Sequence, residues 1–192
     1  RHLTAMSAAA FPHVDGLGTK RLLEAICPSS AEQLKLRPAR DGDATVYFNW
    51  ANDPEVRRNA FNSDMISWPT HKVWFASKLT DPCSHLFVLE AQTLAVGQIR
   101  FDRKHNEASI DYSLDRLVRG RGWAVPLVAL GIKEFSGGER LSLRADVKPT
   151  NHDSIAVFRR LSFSEITRPG DETVRIFHKD TDPTNSPSLF SD

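Results

Sequence analysis

The sequence predicts one mixed α/β domain built on a single sheet, and three observations carry that reading. The chain has 192 residues, the length of one domain with room for an appendage. Beyond residue 30, short alternating apolar runs are interleaved with helical spacings. The order is one strand, two helices, three strands, then helix, strand, helix and closing strands. A hairpin meander that runs into βαβ units gives a mixed sheet, not a doubly wound parallel one.

The elements follow in order. Leu34–Pro38 alternates and predicts a strand. Asp41 to Trp50 predicts a helix with Val46, Phe48 and Trp50 among its apolar residues, broken by Asn52-Asp53-Pro54. The polar, Arg-rich stretch from Glu55 to Asn62 is given no regular element. Ser67 opens a helix through Leu79, with Pro69 in its first turn and Val73, Trp74 and Leu79 as its apolar side. Trp50, Trp68, Trp74 and Phe61 read as core packing. Strands follow at His85–Glu90, at Leu94–Asp102 (broken by Gly97) and at Glu107–Leu114. The last of these alternates Ala108, Ile110, Tyr112 and Leu114. A basic glycine loop leads into a helix ending near Phe135, stopped by Gly137-Gly138. Leu141–Val147 is a strand, Asp153–Leu161 a helix, and Phe163–Ile166 and Val174–His178 closing strands.

Residues 31–179 therefore form the domain. Residues 180–192, polar with Pro and Ser, read as a flexible tail. Residues 1–30 are a helical extension too short for a core of its own, with Thr19 capping a helix to Cys27. The start at Arg1 instead of Met is read as a fragment or a processed chain. Composition excludes several classes. Hydrophobic residues are 40% and charged residues 26%, ordinary globular usage. Twenty-five Lys+Arg against 24 Asp+Glu gives no electrostatic case for nucleic acid. No stretch approaches the ~20 apolar residues of a membrane helix. Cys27 and Cys83 lack metal or redox spacing and fit a reducing cytoplasm, with one disulfide left open by composition. No secretory signal pattern stands at the N-terminus.

The strongest local signal is Arg119-Gly120-Arg121-Gly122-Trp123-Ala124, which follows a strand and opens a helix. Glycines there let backbone approach a ligand, and the free amides at a helix start suit a phosphate. Arg119 and Arg121 would add charge-assisted donors. The alternative is a tight strand-to-helix turn with two solvated arginines. The loop lacks the Gly-Lys-Ser/Thr ending of a Walker loop and is not GxGxxG.

Arg-x-x-Gly-x-Ala at Arg119, Gly122 and Ala124 resembles the pyrophosphate loop of the GNAT acetyltransferases. The stretch from Asn151 through Ser154 and Phe158 to Phe163 is similar to that family's second cofactor motif, about thirty residues further on. The element order also fits, so the resemblance covers about three quarters of the chain. It implies the GNAT fold, a mostly antiparallel sheet splayed between two strands, and transfer of acetyl from acetyl-CoA to an amine. It places the pyrophosphate on Arg119, Gly120, Arg121, Gly122, Trp123 and Ala124, and the pantetheine arm beside Leu114. Asn151, Ser154 and Phe158 would complete the cofactor site. Backbone N–H groups near Ser113 and Leu114 would polarise the thioester carbonyl.

Residues 50–57 resemble acetyltransferases of the ribosomal-protein group. Residues 59–64 and 98–102 look closer to a branch that acetylates UDP-4-amino-4,6-dideoxy sugars in pseudaminic acid biosynthesis. Residues 6–7 and 14–21 are similar to the end of that pathway's UDP-sugar hydrolase. The resemblance therefore implies a nucleotide-sugar acceptor, an upstream hydrolase domain and a cytoplasmic location, with a homodimer also admitted. Arg57, Asn59, Asn62 and Arg100 are the acceptor candidates, since a diphosphate calls for arginines. A protein N-terminal acetyltransferase and a non-catalytic CoA-binding or docking module are the rival readings.

An amine must be neutral to attack, so a base is expected. Asp111 is the candidate, sharing a face with Glu107, Ser109 and Ser113 by alternation. Burial would raise its pKa into the useful range. Glu107 and His105 read as an exposed hairpin end. The family's usual tyrosine acid is Phe158 here, and Ser162 replaces a common glycine. Water, or Tyr112 if it faces the cleft, would then supply the proton. Asn151 reads both as a helix cap and as a cofactor contact. No metal site is expected, since no cluster has ligand spacing.

Overall fold

The computed structural model describes residues 33–166, 170 and 172–181. Residues 1–32, including the Thr19–Cys27 helix, lie outside the described residues. The elements are β1 (Leu34–Pro38), α1 (Ala44–Ala51), α2 (Pro54–Asn59), α3 (Trp68–Thr80), β2 (Ser84–Ala91), β3 (Leu94–Lys104) and β4 (Glu107–Leu114). Then come α4 (Ala124–Ser136), β5 (Ser142–Val147), α5 (His152–Arg160), β6 (Ser164–Ile166) and β7 (Arg175–Asp180). One seven-stranded sheet runs β1-β2-β3-β4-β5-β7-β6, antiparallel at every step except β4–β5.

Alternation sorts the strands onto two faces. One face holds Phe87, Leu89, Ile99, Phe101, Ala108, Ile110, Leu143, Ala145 and Phe177, covered by α4 and α5 through Leu127, Val128, Ile155 and Phe158. The other is covered only over β2 and β3, where α1 and α3 bring Tyr47, Trp50 and Phe75 onto Leu86 and Val88. Beyond β3 that second face carries Asp111, Ser109 and Asp146 and is open to water.

Capping explains most boundaries. Ser67 Oγ accepts from the Thr70 amide and starts α3, and Gly137 at φ 51° ends α4 in the left-handed region. α2 lies in the stretch given no element. Its signal is in the sequence: Asp53 caps the amides of Glu55 and Val56, and Pro54 opens the first turn. Gly97 does not break β3. The irregularity is a bulge beside it, where Glu90 pairs with Ala95 and Leu89 with Gly97. A Cβ on Gly97 would stand 2.8 Å from the Ser113 carbonyl, so a bare backbone is required there.

Three side-chain expectations fail. Val73 is 73% exposed, because α3 turns His71 and Phe75 inward, one turn apart, and Val73 falls between them. Phe61 and Trp68 are exposed rather than core. Asp180 closes β7, and Thr181 is buried, donating its hydroxyl to the Glu139 carbonyl, while residues 182–192 of the expected tail lie outside the described residues. Cys83 is a free thiol on an exposed turn. Among the described residues no helix is long and apolar enough to cross a membrane.

Ser162 stands at φ 60° directly after α5. The amides of Ser162 and Phe163 return to the carbonyls of Arg159 and Phe158, and the Phe158 and Phe163 rings meet at 5.1 Å. This turn calls for a glycine, since a side chain in the left-handed region costs about 1 kcal/mol. Ser162→Gly is expected to stabilise the fold by about 1 kcal/mol, read as a higher urea midpoint with unchanged slope.

Candidate active site

Between β4 and β5 the sheet opens. The two strands pair only at Glu107↔Ser142, Ala108↔Leu143 and Ser109↔Arg144. Past Ser109 the β5-side edge of β4 has no paired strand among the described residues. A cleft of about 920 Å³ occupies the gap and continues under α1, α2 and α3. Because it passes through the sheet, both faces of β4 line it. Asp111 is on the face of Arg100 and Gln98, and Tyr112 is on the face of α4 and α5.

The glycine loop closes one end. Gly120 and Gly122 stand at φ 78° and 77°, each with nothing within 4 Å of where a Cβ would lie. Steric room is therefore not what requires glycine; the backbone conformation is. Among the described residues, no amide from Gly120 to Ala124 donates to a protein acceptor. These free N–H groups sit at the start of α4, which has no side-chain cap at Trp123. A phosphate-bearing group fits that cradle, and the strand gap beside Leu114 fits an extended arm.

The two arginines of the loop do not behave as the sequence suggests. The Arg119 side chain turns away from the loop amides. It donates to the Leu114 carbonyl (3.1 Å), to Glu55 (3.0 Å) and to Asp53 (2.8 Å). Arg121 lies over the Trp123 ring, 5.4 Å from its centroid, and does not line the cleft. The Trp123 indole is core. What the loop offers a phosphate is therefore its backbone N–H groups, not its two arginine side chains.

The cleft is also lined by Tyr47, Trp50 and Trp74, with Arg57, Asn59 and Arg100. Arg57 donates to the carbonyls of Asn62 and Asp64, and it forms no ion pair among the described residues. Arg100 lies 5.2 Å over Trp74, donates to Asp102 and faces Asp111 across the β3–β4 register. Asn62 is outside the cleft, exposed, with its side chain accepting from the Asp64 amide. It is a turn residue.

The catalytic candidates divide by face. Asp111 is exposed at the cleft, not buried. Its Oδ1 accepts from Gln98 Nε2 at 2.9 Å, which fixes the carboxylate's orientation. Gln98 is 7% exposed and was not singled out by sequence. Its position directly across from Ser113, on the face of Asp111, was the available signal. Tyr112 does face the cleft. Its hydroxyl donates to Ser154 Oγ at 3.0 Å, and its ring meets Phe158 edge-on. Burial pushes the Tyr112 phenol up to about 12, against the Ser154 hydrogen bond, so it keeps its proton at neutral pH. Asn151 caps α5 by accepting from the Ser154 amide, and its side chain also lines the cleft. Phe158 packs among Phe163, Phe177 and Tyr112 and has no proton to give. His71 lines the aromatic end. Burial holds its pKa below the usual value against its bond to the Ala44 carbonyl, so it is neutral with Nε2–H donating.

Residues 33–164 match the model of the acetyltransferase (GNAT) domain. The chain belongs to the GNAT acetyltransferase family. As a member it is an acetyl-CoA-dependent N-acetyltransferase. Solved structures repeat the GNAT fold. The spermidine N-acetyltransferase from Vibrio cholerae, solved with CoA and spermine, superposes at TM-score 0.71 and 19% identity, covering 80% of this chain and 99% of its own. A ribosomal L7/L12 α-N-protein acetyltransferase, RimL, solved with CoA, gives TM-score 0.67 and 17% identity over 82% of this chain and 99% of its own. A domain from Methanocaldococcus jannaschii gives 0.68 at 16% identity, over 77% and 98%. Comparison of the sequence with curated proteins gives no match.

Valine at Gly122 would need a left-handed backbone, costing about 1–2 kcal/mol, or a rearranged loop. Gly122→Val is expected to lower CoA affinity by about tenfold or more, measured by calorimetry, with the far-UV circular dichroism unchanged.

Proposed function

We propose that this GNAT enzyme acetylates a ring-bearing amine that carries an anionic group, and that the 4-amino group of a UDP-linked aminodeoxy sugar is the preferred acceptor. One observation carries the reading. The acceptor end is walled by Tyr47, Trp50 and Trp74, while Arg57 brings a positive charge with no carboxylate partner among the described residues. Aromatic faces suit flat or ring-shaped groups, and an uncompensated guanidinium suits phosphate. Four carboxylates line the cleft: Glu55 is paired with Arg119 and Asp146 with Arg144, while Asp111 and Asp153 have no ion pair among the described residues, so a polyamine is the acceptor the assay below must separate from the sugar.

Acetyl-CoA supplies the activated acetyl group and a thiolate leaving group. The loop amides of Gly120 to Ala124 would hold its phosphates, and Asn151 and Ser154 would flank its arm. The chain's own residues then divide the proton work. Asp111, held by Gln98, accepts the proton that the ammonium must lose before it attacks. The unpaired β4 backbone at Ser113 and Leu114 offers dipoles to a developing oxyanion. Tyr112 holds its proton on the opposite side of the strand, aimed by Ser154, where a leaving group needs one. Asp111 and Tyr112 are neighbours in sequence, so alternation alone sends base and acid to opposite faces.

The likeness to RimL favours a second reading, a protein N-terminal amine as acceptor. Thiol release from acetyl-CoA separates the two. It is measured with a UDP-4-amino-4,6-dideoxy sugar, with spermidine and with N-terminal peptides. Turnover with the sugar alone is the expected result; turnover with peptide or spermidine alone rejects it. With the active acceptor, Asp111→Asn is expected to lower kcat by about a hundredfold while CoA affinity stays within about twofold. Tyr112→Phe should lower kcat by about tenfold or more, and an unaffected kcat would remove it from the mechanism.

A further inference from the structure

The Arg119 side chain is the least expected feature of the loop. Its backbone belongs to the cofactor end, yet its guanidinium reaches residues 64 and 66 positions earlier in the chain. There it meets Glu55 and Asp53 at the start of α2, while Nε holds the Leu114 carbonyl at the end of β4. Asp53 Oδ1 receives Arg119 and also caps the amides of Glu55 and Val56. One carboxylate oxygen thus joins the loop's arginine to the first turn of α2. The helix it starts carries Val56, Arg57 and Asn59 to the acceptor wall.

A second tie runs parallel to the first. Trp50 Nε1 of α1 donates to Asp115 Oδ2 at 2.9 Å, and Asp115 starts the segment that leads into the loop by accepting from the Leu117 amide. The α1–α2 corner is therefore fastened to the loop on both sides. The Arg119–Asp53 pair is the shielded one, with the Asp53 side chain 12% exposed and that of Arg119 24%, whereas the Glu55 side chain is 41% exposed. Charge-assisted bonds in such a setting hold direction as well as distance. α2 itself is short, six residues with no buried side chain, and so has little packing of its own to fix it.

We propose that Arg119 is a positioning residue that transmits occupancy of the cofactor loop to the acceptor wall: order imposed on residues 120–124 by bound phosphates is passed through Arg119 and Asp53 to α2. This rests on the reading of the loop as the CoA phosphate site. Arg119 does not contact the phosphates in this scheme. Its three fixed partners turn the loop, the end of β4 and α2 into one unit, so ordering one orders the others.

Peptide-resolved hydrogen exchange on the full chain, with and without saturating CoA as the sole probe, tests it. In the unsubstituted protein CoA is expected to slow exchange in the loop and also, by about threefold or more, in residues 55–60. Arg119→Gln should keep the protection of the loop and lose that of α2. Asp53→Asn keeps an oxygen to cap α2 while removing the charge, and should show the same loss with the helix still formed. Equal protection of α2 in both variants, or none in the unsubstituted protein, overturns the proposal. If CoA protects no loop amide in any of the three proteins, the cofactor reading itself falls and takes the proposal with it.

Discussion

Backbone amides and carbonyls must find partners, and the gap between β4 and β5 is where this sheet leaves that requirement unmet. The strands pair three times at Glu107, Ala108 and Ser109, then diverge for the length of Asp111–Leu114. The hydrophobic core does not fill the gap, because α4 and α5 pack on one face beside it and α1 and α3 cover only β2 and β3 on the other. The result is a slot with an extended backbone edge on one wall and a helix start at its end. Such an edge pairs with whatever extended polar chain enters. The cleft, the unpaired backbone at Ser113 and Leu114, and the entry of Asp111 and Tyr112 into it from opposite faces all follow from that divergence.

Much of the fold was legible in the sequence. Glu107–Leu114 alternates because Ala108 and Ile110 are buried under α4 and α5 with Tyr112 and Leu114 on the same face, and its boundaries agree residue for residue with β4. Leu141, Leu143, Ala145 and Val147 likewise share the core face. The caps at Ser67 and Asn151 were legible because capping is local chemistry. α2 was overlooked because a short, wholly polar-facing helix has no apolar period, and only its cap signals it. Val73 misled because a β-branched apolar residue beside Trp74 looks like core until the helix phase is fixed by His71 and Phe75.

The site was legible in its backbone and less so in its side chains. Glycines at 120 and 122 announce left-handed φ whatever the tertiary setting. Where a long side chain goes is decided by partners distant in sequence. Arg119 is claimed by Asp53 and Glu55, Arg121 by the Trp123 ring, and Asn62 by its own turn. Gln98 had no local signal for this role, although residues 98–102 carried part of the family resemblance. It becomes relevant only once the β3–β4 register sets it beside Asp111.

That register has a cost for any insertion or deletion near the β3–β4 hairpin. The hairpin turns through His105 and Asn106, with Lys104 opposite Glu107 and His105 at φ 58°. It lies at the far end of β4 from the glycine loop and touches neither end of the cleft. Yet side-chain direction along a strand has period two, so a slip by one residue would exchange every inward and outward group. The carboxylate of Asp111 would then turn toward α4 and α5, and the phenol of Tyr112 toward the face of Arg100 and Gln98. Length variation in this exposed turn, ordinarily the safest place for it, would here exchange the two walls of the cleft without altering a single residue that lines it.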